Sequence, residues 1–253
     1  MQEVKFFVLI IGTEILNRRR EDAHFEFVTK ALEAYGNKLT GSFIIEDDPK
    51  LIVNTIQYIA SIEKSVIFSF GGIGATPDDH TRACAAKALS NGKLYTHEEC
   101  KAIIDQKLAG KVSTISYAMA QLPKEAQLIE NVYGSIPAFQ LQNRYFFMPG
   151  FPHMSHPMVE AILAHHFNTK RYIYRYTLAA QCKESFLVDV MEQMPKGVEL
   201  SSLPTASSNG EWHTTISVAS YDEKLAKSNF DKFITKLENH SILYQLGEKL
   251  NSL

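Results

Sequence analysis

The sequence predicts an α/β protein, with a mostly parallel sheet and helices on both faces, followed by a small α+β unit. Three observations carry the prediction. Apolar runs at 4–11 and 65–70 have the length and character of buried strands, the first of the kind covered on both faces, and Leu39 to Ile45 reads as a further strand between them. Each is followed by a segment with apolar residues at helical spacing, and this βαβαβα order favours parallel pairing. Beyond residue 170 the pattern changes to alternating strands around two helices, so the expected units are 1–170 and 171–253.

The first run, Val4-Lys-Phe-Phe-Val-Leu-Ile-Ile11, stops at Gly12-Thr-Glu-Ile-Leu16. Asp22 is placed to cap a helix that carries Phe25, Val28, Leu32 and Tyr35 on one side and ends at Gly36. The second run stops at Glu46-Asp-Asp-Pro49, where Asp48 caps and Pro49 opens a helix presenting Ile52, Ile56 and Ile59. The third run ends at Gly71-Gly-Ile-Gly74. There Thr76 offers an N-cap hydroxyl, Pro77 suits the first helical position, and Asp79 stands where a carboxylate can reach back. The predicted helix carries Cys84, Ala85, Ala88 and Leu89 towards the sheet. Next comes a helix over 97–108 with Ile103, Ile104 and Leu108 inward, an irregular polar stretch at 110–125, and short strands at 126–130 and 144–148 around a loop. A rigid turn, Met148-Pro-Gly-Phe-Pro-His-Met154, leads to a closing helix over 157–167.

In the second unit, strands are expected at 172–180, 198–203 and 212–219, and helices at 184–194 and 222–239. Phe186, Leu187, Val190 and Met194 face inward from the first helix. Leu225, Phe230, Phe233, Ile234 and Leu237 do so from the second. The βαββα order makes a small two-layer unit.

Ligands of parallel sheets bind beyond the carboxyl ends of the strands. Glycines at 71, 72 and 74 let backbone approach a ligand closely, and unpaired N–H groups of such a loop and the following helix start favour phosphate. A carboxylate about 4 Å from a phosphate repels it by about 4 kcal/mol at an effective dielectric near ~20. A divalent cation removes that conflict, because Mg²⁺ is held by one or two carboxylates together with phosphate oxygens. Glu14, Asp22, Asp47, Asp48, Asp78 and Asp79 all follow one of the first three strands and are expected at the same edge. Asp48 is also an ordinary helix cap, and the glycine turn by itself is also ordinary αβ punctuation.

Composition excludes several classes. The 253 residues are 45% hydrophobic and 21% charged, with a formal net charge of −2. That argues against disorder and against a broad nucleic-acid surface, and Arg18-Arg-Arg20 is too short to alter this. No run approaches the roughly 18 apolar residues of a membrane span, and 6–11 is too short for a signal-peptide core, so a cytoplasmic protein is expected. Cys84, Cys100 and Cys182 are odd in number and widely spaced, as reduced packing residues are. His153, His156, His165 and His166 lack the helical spacing of a zinc pair.

The loop lacks the third glycine of the dinucleotide pattern and the Gly-Lys of a P-loop. It resembles instead the Gly-Gly-x-Gly-x-Thr-x-Asp-Asp-x-Thr loop of the MoaB/Mog-like, molybdopterin-binding family. The likeness is to the CinA branch, which carries Gly-Asp-Glu-Ile/Leu-Leu after its first strand, Asp-x-Asn opening the first helix and an Asp after the second strand. Here these read Gly12-Thr-Glu-Ile-Leu16, Asp22-Ala-His24 and Asp47-Asp48. Asn131 to Phe139 resembles the family's Asn-x-x-Gly-x-Ala-Pro-Gly-Phe segment, and 148–154 its Pro-Gly-Val-Pro-x-Met turn. Thr13, His24, Ala75 and Ala138 depart from the usual Asp, Asn, Pro and Gly, and Thr13 puts catalytic competence in question. The second unit resembles the KH-like domain of CinA proteins; neither Lys196-Gly197 nor Asn209-Gly210 supplies the Gly-x-x-Gly of a nucleic-acid-binding KH module, so packing or dimerisation is its expected role. The amidohydrolase domain of full-length CinA proteins, and its activity, are expected to be absent beyond Leu253.

The resemblance implies metal-dependent hydrolysis of the pyrophosphate of ADP-ribose or a related dinucleotide such as FAD. Glu14, Asp22 and Asp79 would be catalytic, and Asp47, Asp78 and Asp79 would hold Mg²⁺, Mn²⁺ or Co²⁺. Gly71, Gly72, Ile73, Gly74, Thr76, Thr81, Pro149 and Gly150 would hold the ligand. The alternatives are a protein that binds a pterin phosphate or nucleotide without hydrolysis, in molybdenum-cofactor biosynthesis, and a degenerate member kept for protein contacts. A homo-oligomer, dimer or trimer, is expected, with no nucleic-acid or membrane partner.

Overall fold

The computed structural model describes residues 4–108, 114–133, 137–169, 171–206 and 210–248. The chain divides into two compact units, Met1–Lys170 and Arg171–Leu253.

The first unit begins β1 (Lys5–Ile11), α1 (Thr13–Leu16), α2 (His24–Ala34), β2 (Leu39–Ile45), α3 (Pro49–Ala60), β3 (Ser65–Phe70), α4 (Thr81–Leu89). It continues β4 (Leu94–Thr96), α5 (Glu98–Leu108), α6 (Thr114–Ala118), β5 (Gln121–Pro123), β6 (Gln127–Ile129), β7 (Ala138–Leu141), β8 (Tyr145–Met148), α7 (Pro152–His166). Six strands form one sheet in the order β2-β1-β3-β8-β7-β6, while β4 and β5 pair separately. The β2-β1-β3-β8 part is parallel, and β7 and β6 extend it antiparallel.

The alternation of β1 explains the layers. Phe7, Leu9 and Ile11 pack against Ile52, Ile56 and Ile59 of α3 and against Cys84 and Ala85 of α4. Phe6, Val8 and Ile10 meet Val28 and Leu32 of α2 and Met158, Val159 and Ile162 of α7 on the other face. All six residues of β3 are buried, as a central strand between two helical layers requires. The mostly parallel sheet with helices on both faces is therefore the observed architecture.

Several expected elements differ in extent. Helix α4 starts at Thr81, not near Thr76. The Thr81 N–H, which a helix from Pro77 would give to the Pro77 carbonyl, goes instead to the Gly72 carbonyl at 3.0 Å. The loop thus takes the bond that would have extended the helix. Helix α7 starts at Pro152 and carries Pro157 inside it; proline removes one ladder bond, and the carbonyl it leaves belongs to exposed His153. Phe25 is exposed, because Val28, Ala31 and Leu32 occupy the inward face of α2. The stretch expected to be irregular contains α6 and β5, and the expected loop before residue 144 contains β7. Leu108's side chain, residues 134–136 and Asn209 lie outside the described residues.

In the second unit, β9 (Tyr174–Ala180), α8 (Val188–Met191), β10 (Glu199–Ala206), β11 (Trp212–Ser220), α9 (Glu223–Asn239) and β12 (Tyr244–Leu246) form a four-stranded antiparallel sheet, in the order β10-β11-β9-β12, with its helices. Leu178, Ile216 and Val218 pack against Phe230, Phe233 and Leu237 of α9. Asp222 caps α9 by accepting from the Leu225 N–H at 3.1 Å. The single helix expected at 184–194 is instead a 3-10 turn, Glu184–Phe186, followed by the one turn of α8.

Candidate functional site

Register sets the site. Ile11 pairs with Ile45, Ile10 with Phe70, and Phe70 with Met148, so β1, β2, β3 and β8 end at one edge. Because β2 lies on one side of β1 and β3 on the other, the chain reverses direction across the sheet at the β1–β3 boundary. Open α/β sheets form their ligand crevice at such a point. A cavity of about 650 Å³ lies there, within the ~300–1,000 Å³ of small-molecule sites. Its wall includes Glu14 after β1, Asp47 after β2, Gly71, Gly72, Ile73, Gly74, Thr76, Asp78 and Asp79 after β3, and Pro149 and Gly150 after β8.

The glycine loop is fixed by strain-free glycines and by groups beneath it. Gly71 has φ 101° and its N–H donates to the Met148 carbonyl at 3.0 Å; a Cβ there would lie 2.2 Å from the Ile11 carbonyl oxygen. Gly72 has φ 67°, and a Cβ would lie 2.3 Å from the Thr81 hydroxyl. Thr81 is fully buried, and its hydroxyl donates to the Gly71 carbonyl at 3.0 Å, so it supports the loop from below rather than facing the cavity. Arg82, 7% exposed, donates from Nη1 to the carbonyls of both Ile73 and Gly74. Burial lowers its pKa and the nearby Asp79 opposes that shift. Two loop carbonyls are thereby tied to one cation under the loop. Asp79 Oδ2 accepts from the Thr76 N–H at 2.8 Å and the Thr76 hydroxyl at 2.6 Å, closing the 76–79 turn.

The acids are arranged as pairs with hydroxyls. Asp47 Oδ2 accepts from both the N–H and the hydroxyl of Thr13, each at 2.8 Å, and the Asp47 N–H donates back to the Thr13 hydroxyl at 3.2 Å. Asp78 is exposed at the rim of the 76–79 turn. Asp22 is outside the cavity wall; its two oxygens accept from the N–H groups of His24 and Phe25, at 2.8 and 3.0 Å, at the start of α2. Among the described residues no group of three or more His, Cys, Asp or Glu side chains converges as a metal cage. Asp47 and Asp79 each commit one carboxylate oxygen to a threonine.

Sequence reasoning missed four contributors. Arg20 and Phe151 line the cavity, with the guanidinium 5.5 Å from the ring centroid, and Met119 and Met154 join them. Arg20 also donates from Nη2 to the Gly150 carbonyl at 3.0 Å and lies 4.0 Å from Glu14. Behind this turn, buried His24 stacks on Phe70 at 4.1 Å and meets His156 edge-on at 5.3 Å, while His156 stacks on Phe27 at 3.7 Å. The signal available in the sequence for Arg20 was its place at the end of the turn that follows Glu14.

A parallel sheet whose carboxyl-end loops frame one cavity is the architecture of a small-molecule-binding α/β domain. Comparison with known proteins makes this specific. The chain belongs to the family described as "Probable molybdopterin binding domain", which matches residues 7–168. It is 24% identical over 251 residues to a CinA-like protein of Flavobacterium psychrophilum, covering 93% of this chain and 59% of that one. It is 23% identical over 236 residues to a protein of Pyrococcus horikoshii, covering 87% and 91%. The chain thus spans about three fifths of the length of the CinA-like relative. The crystal structure of CinA from Thermoplasma acidophilum, a protein of unknown function, superimposes with a TM-score of 0.58 at 24% identity, covering 64% of this chain and 97% of that one. The fold is the MoaB/Mog-like α/β fold, followed by a small antiparallel unit. Among the described residues no helix is long and apolar enough to cross a membrane.

Proposed function

We propose that the first unit binds a phosphorylated small molecule, a pterin phosphate or a nucleotide, with its phosphate against the Gly71–Gly74 loop. The observation that carries the reading is the convergence of four strand-end loops on one cavity, with a backbone at Gly71 and Gly72 that excludes side chains. Family membership supports a small-molecule ligand. In this reading the loop N–H groups donate to the phosphate oxygens, Arg82 keeps two carbonyls turned away from it, and Thr76 stands at the rim. Glu14, Asp47, Asp78 and Asp79 place four carboxylates around a cavity whose only Lys or Arg, among the described residues, is Arg20. A phosphate entering there is best accompanied by a divalent cation, for which Asp47 and Asp79 are the ligands offered.

The same four carboxylates favour a second reading, hydrolysis of the pyrophosphate of ADP-ribose or FAD. A cation held by Asp47, Asp78 or Asp79 would neutralise charge on the bridging oxygen and acidify a bound water. Glu14 would then hold or take a proton at its carboxylate. Titration calorimetry with AMP and with a pterin phosphate, with and without Mg²⁺, tests the binding reading. AMP release from ADP-ribose and FAD with Mg²⁺, Mn²⁺ or Co²⁺, against EDTA, tests the hydrolytic one. Binding without release supports the first reading, release supports the second, and neither removes both. The expected dimer or trimer is checked on the same sample by light scattering.

A further inference from the structure

We propose that Phe151 and Arg20 form the subsite for a fused heteroaromatic ring, the purine or pterin end of the ligand whose phosphate meets the glycine loop. This rests on the phosphate-binding reading and adds the ring to it. Phe151 is 53% exposed and lies on the wall of an otherwise acid-rich cavity. A large apolar ring left open at that place gains its contacts from something that enters the cavity. It is also held still. The Arg20 guanidinium sits 5.5 Å from the ring centroid and is anchored in turn by the Gly150 carbonyl at 3.0 Å and by Glu14 at 4.0 Å. An aromatic ring backed by a fixed cation is a rigid platform, and ordering it costs little when a ligand stacks.

The neighbours fit the same ligand. Met154 and Met119 line the cavity with polarisable thioethers that suit the edge of a flat ring. The turn that carries Phe151 abuts the phosphate loop: a Cβ on Gly150 would lie 3.5 Å from the Gly71 Cα. Ring platform and phosphate cradle therefore stand on adjacent turns that line one cavity. The chemistry is selective for ring-bearing phosphates over sugar phosphates.

The test is calorimetry on the full chain, wild type, F151A and F151W, with AMP, 6-hydroxymethylpterin phosphate and ribose 5-phosphate. Phe151 is exposed and its bonds to Met154 and Ser155 are made by its backbone carbonyl, so F151A folds; a thermal melt on each variant verifies this. The inference expects F151A to weaken the ring-bearing ligand by about tenfold or more, the scale of one lost base–aromatic stack. Ribose 5-phosphate should bind F151A as it binds wild type, and F151W should restore ring binding. Whether AMP or the pterin shows the loss identifies the ring. Equal losses for all three ligands, or unchanged ring binding in F151A, overturn the subsite. A wild type that binds AMP and ribose 5-phosphate equally overturns the subsite while leaving the phosphate reading intact. A wild type that binds none of them overturns both.

Discussion

At the scale of single residues, Arg82 is the position where the candidate site depends on a side chain that no ligand touches. Its guanidinium is buried and donates from Nη1 to two consecutive loop carbonyls, with the two N–H groups held in the fixed plane of the guanidinium, a direction that the rotatable ammonium of a shorter lysine does not reproduce. R82M should lower stability by about 1–3 kcal/mol, the cost of leaving buried acceptors unpaired, and should weaken AMP binding more than the same loss of stability at a distant site. R82K should recover part of the stability and little of the binding. Urea unfolding and calorimetry on the two variants check this, and AMP affinity unchanged in R82M would remove Arg82 from the argument. Gly71 gives a second residue-scale prediction. Its φ is 101° and the obstruction to a Cβ is the Ile11 backbone, which has nowhere to go. At Gly74 the nearest atom is the Asp79 carboxylate, a side chain. G71A should therefore cost more stability than G74A, by at least about 1 kcal/mol, in paired thermal melts. Neither Arg82 nor the geometry of Gly71 was legible in the sequence as more than a residue type, because each acts on backbone atoms placed by distant strands.

At the scale of elements, strands were legible where the chain alone decides them. The runs at 39–45 and 65–70 coincide with β2 and β3: β3 is buried on both faces and needs only an apolar run, whereas β2 is an edge strand whose exposed and partly buried residues alternate. Boundaries set by tertiary bonds were not legible. The start of α4 depends on Gly72 competing for the Thr81 N–H, and α7 absorbs Pro157 because Met158, Val159, Ile162 and Leu163 bury against the sheet. The site was legible in the same uneven way. Its glycines and most of its acids lie close in sequence to strand ends, whereas Arg20 and Phe151 come together only when β1 and β8 align their ends at one edge. The clasp between Thr13 and Asp47 joins the turns after β1 and β2 in the same manner. T13V removes the hydroxyl's two bonds while keeping the shape, and should cost about 1–2 kcal/mol in urea unfolding. A loss below a few tenths would mean that the clasp is not a structural link.

For the whole molecule, buried His24 and partly buried His156 couple global stability to pH. Burial, reinforced by neighbouring His156, pushes the His24 pKa down from 6.5 to about 4, against opposing contributions from Asp22 and the Gly150 backbone. Burial lowers the pKa of His156 as well. A depressed folded-state value means that the unfolded chain binds the proton more readily. Above pH 6.5 both states hold His24 neutral and stability is unaffected. Between pH 6.5 and about 4 the unfolded chain is protonated first, so stability falls as pH falls, and below about 4 the loss is complete. At 1.36 kcal/mol per pKa unit the loss is about 3 kcal/mol from His24, and His156 adds to it with the same sign. Chemical denaturation at pH 7, 5.5 and 4.5 should show this acid limb in the wild type. H24N cannot titrate in this range and should make the limb shallower, even if the lost stack on Phe70 lowers its stability at pH 7. Because His24 stays neutral in the folded chain down to about pH 4, ligand binding by the folded protein should not change through this histidine over the same interval. An acid limb of equal slope in wild type and H24N would assign it to groups other than this histidine.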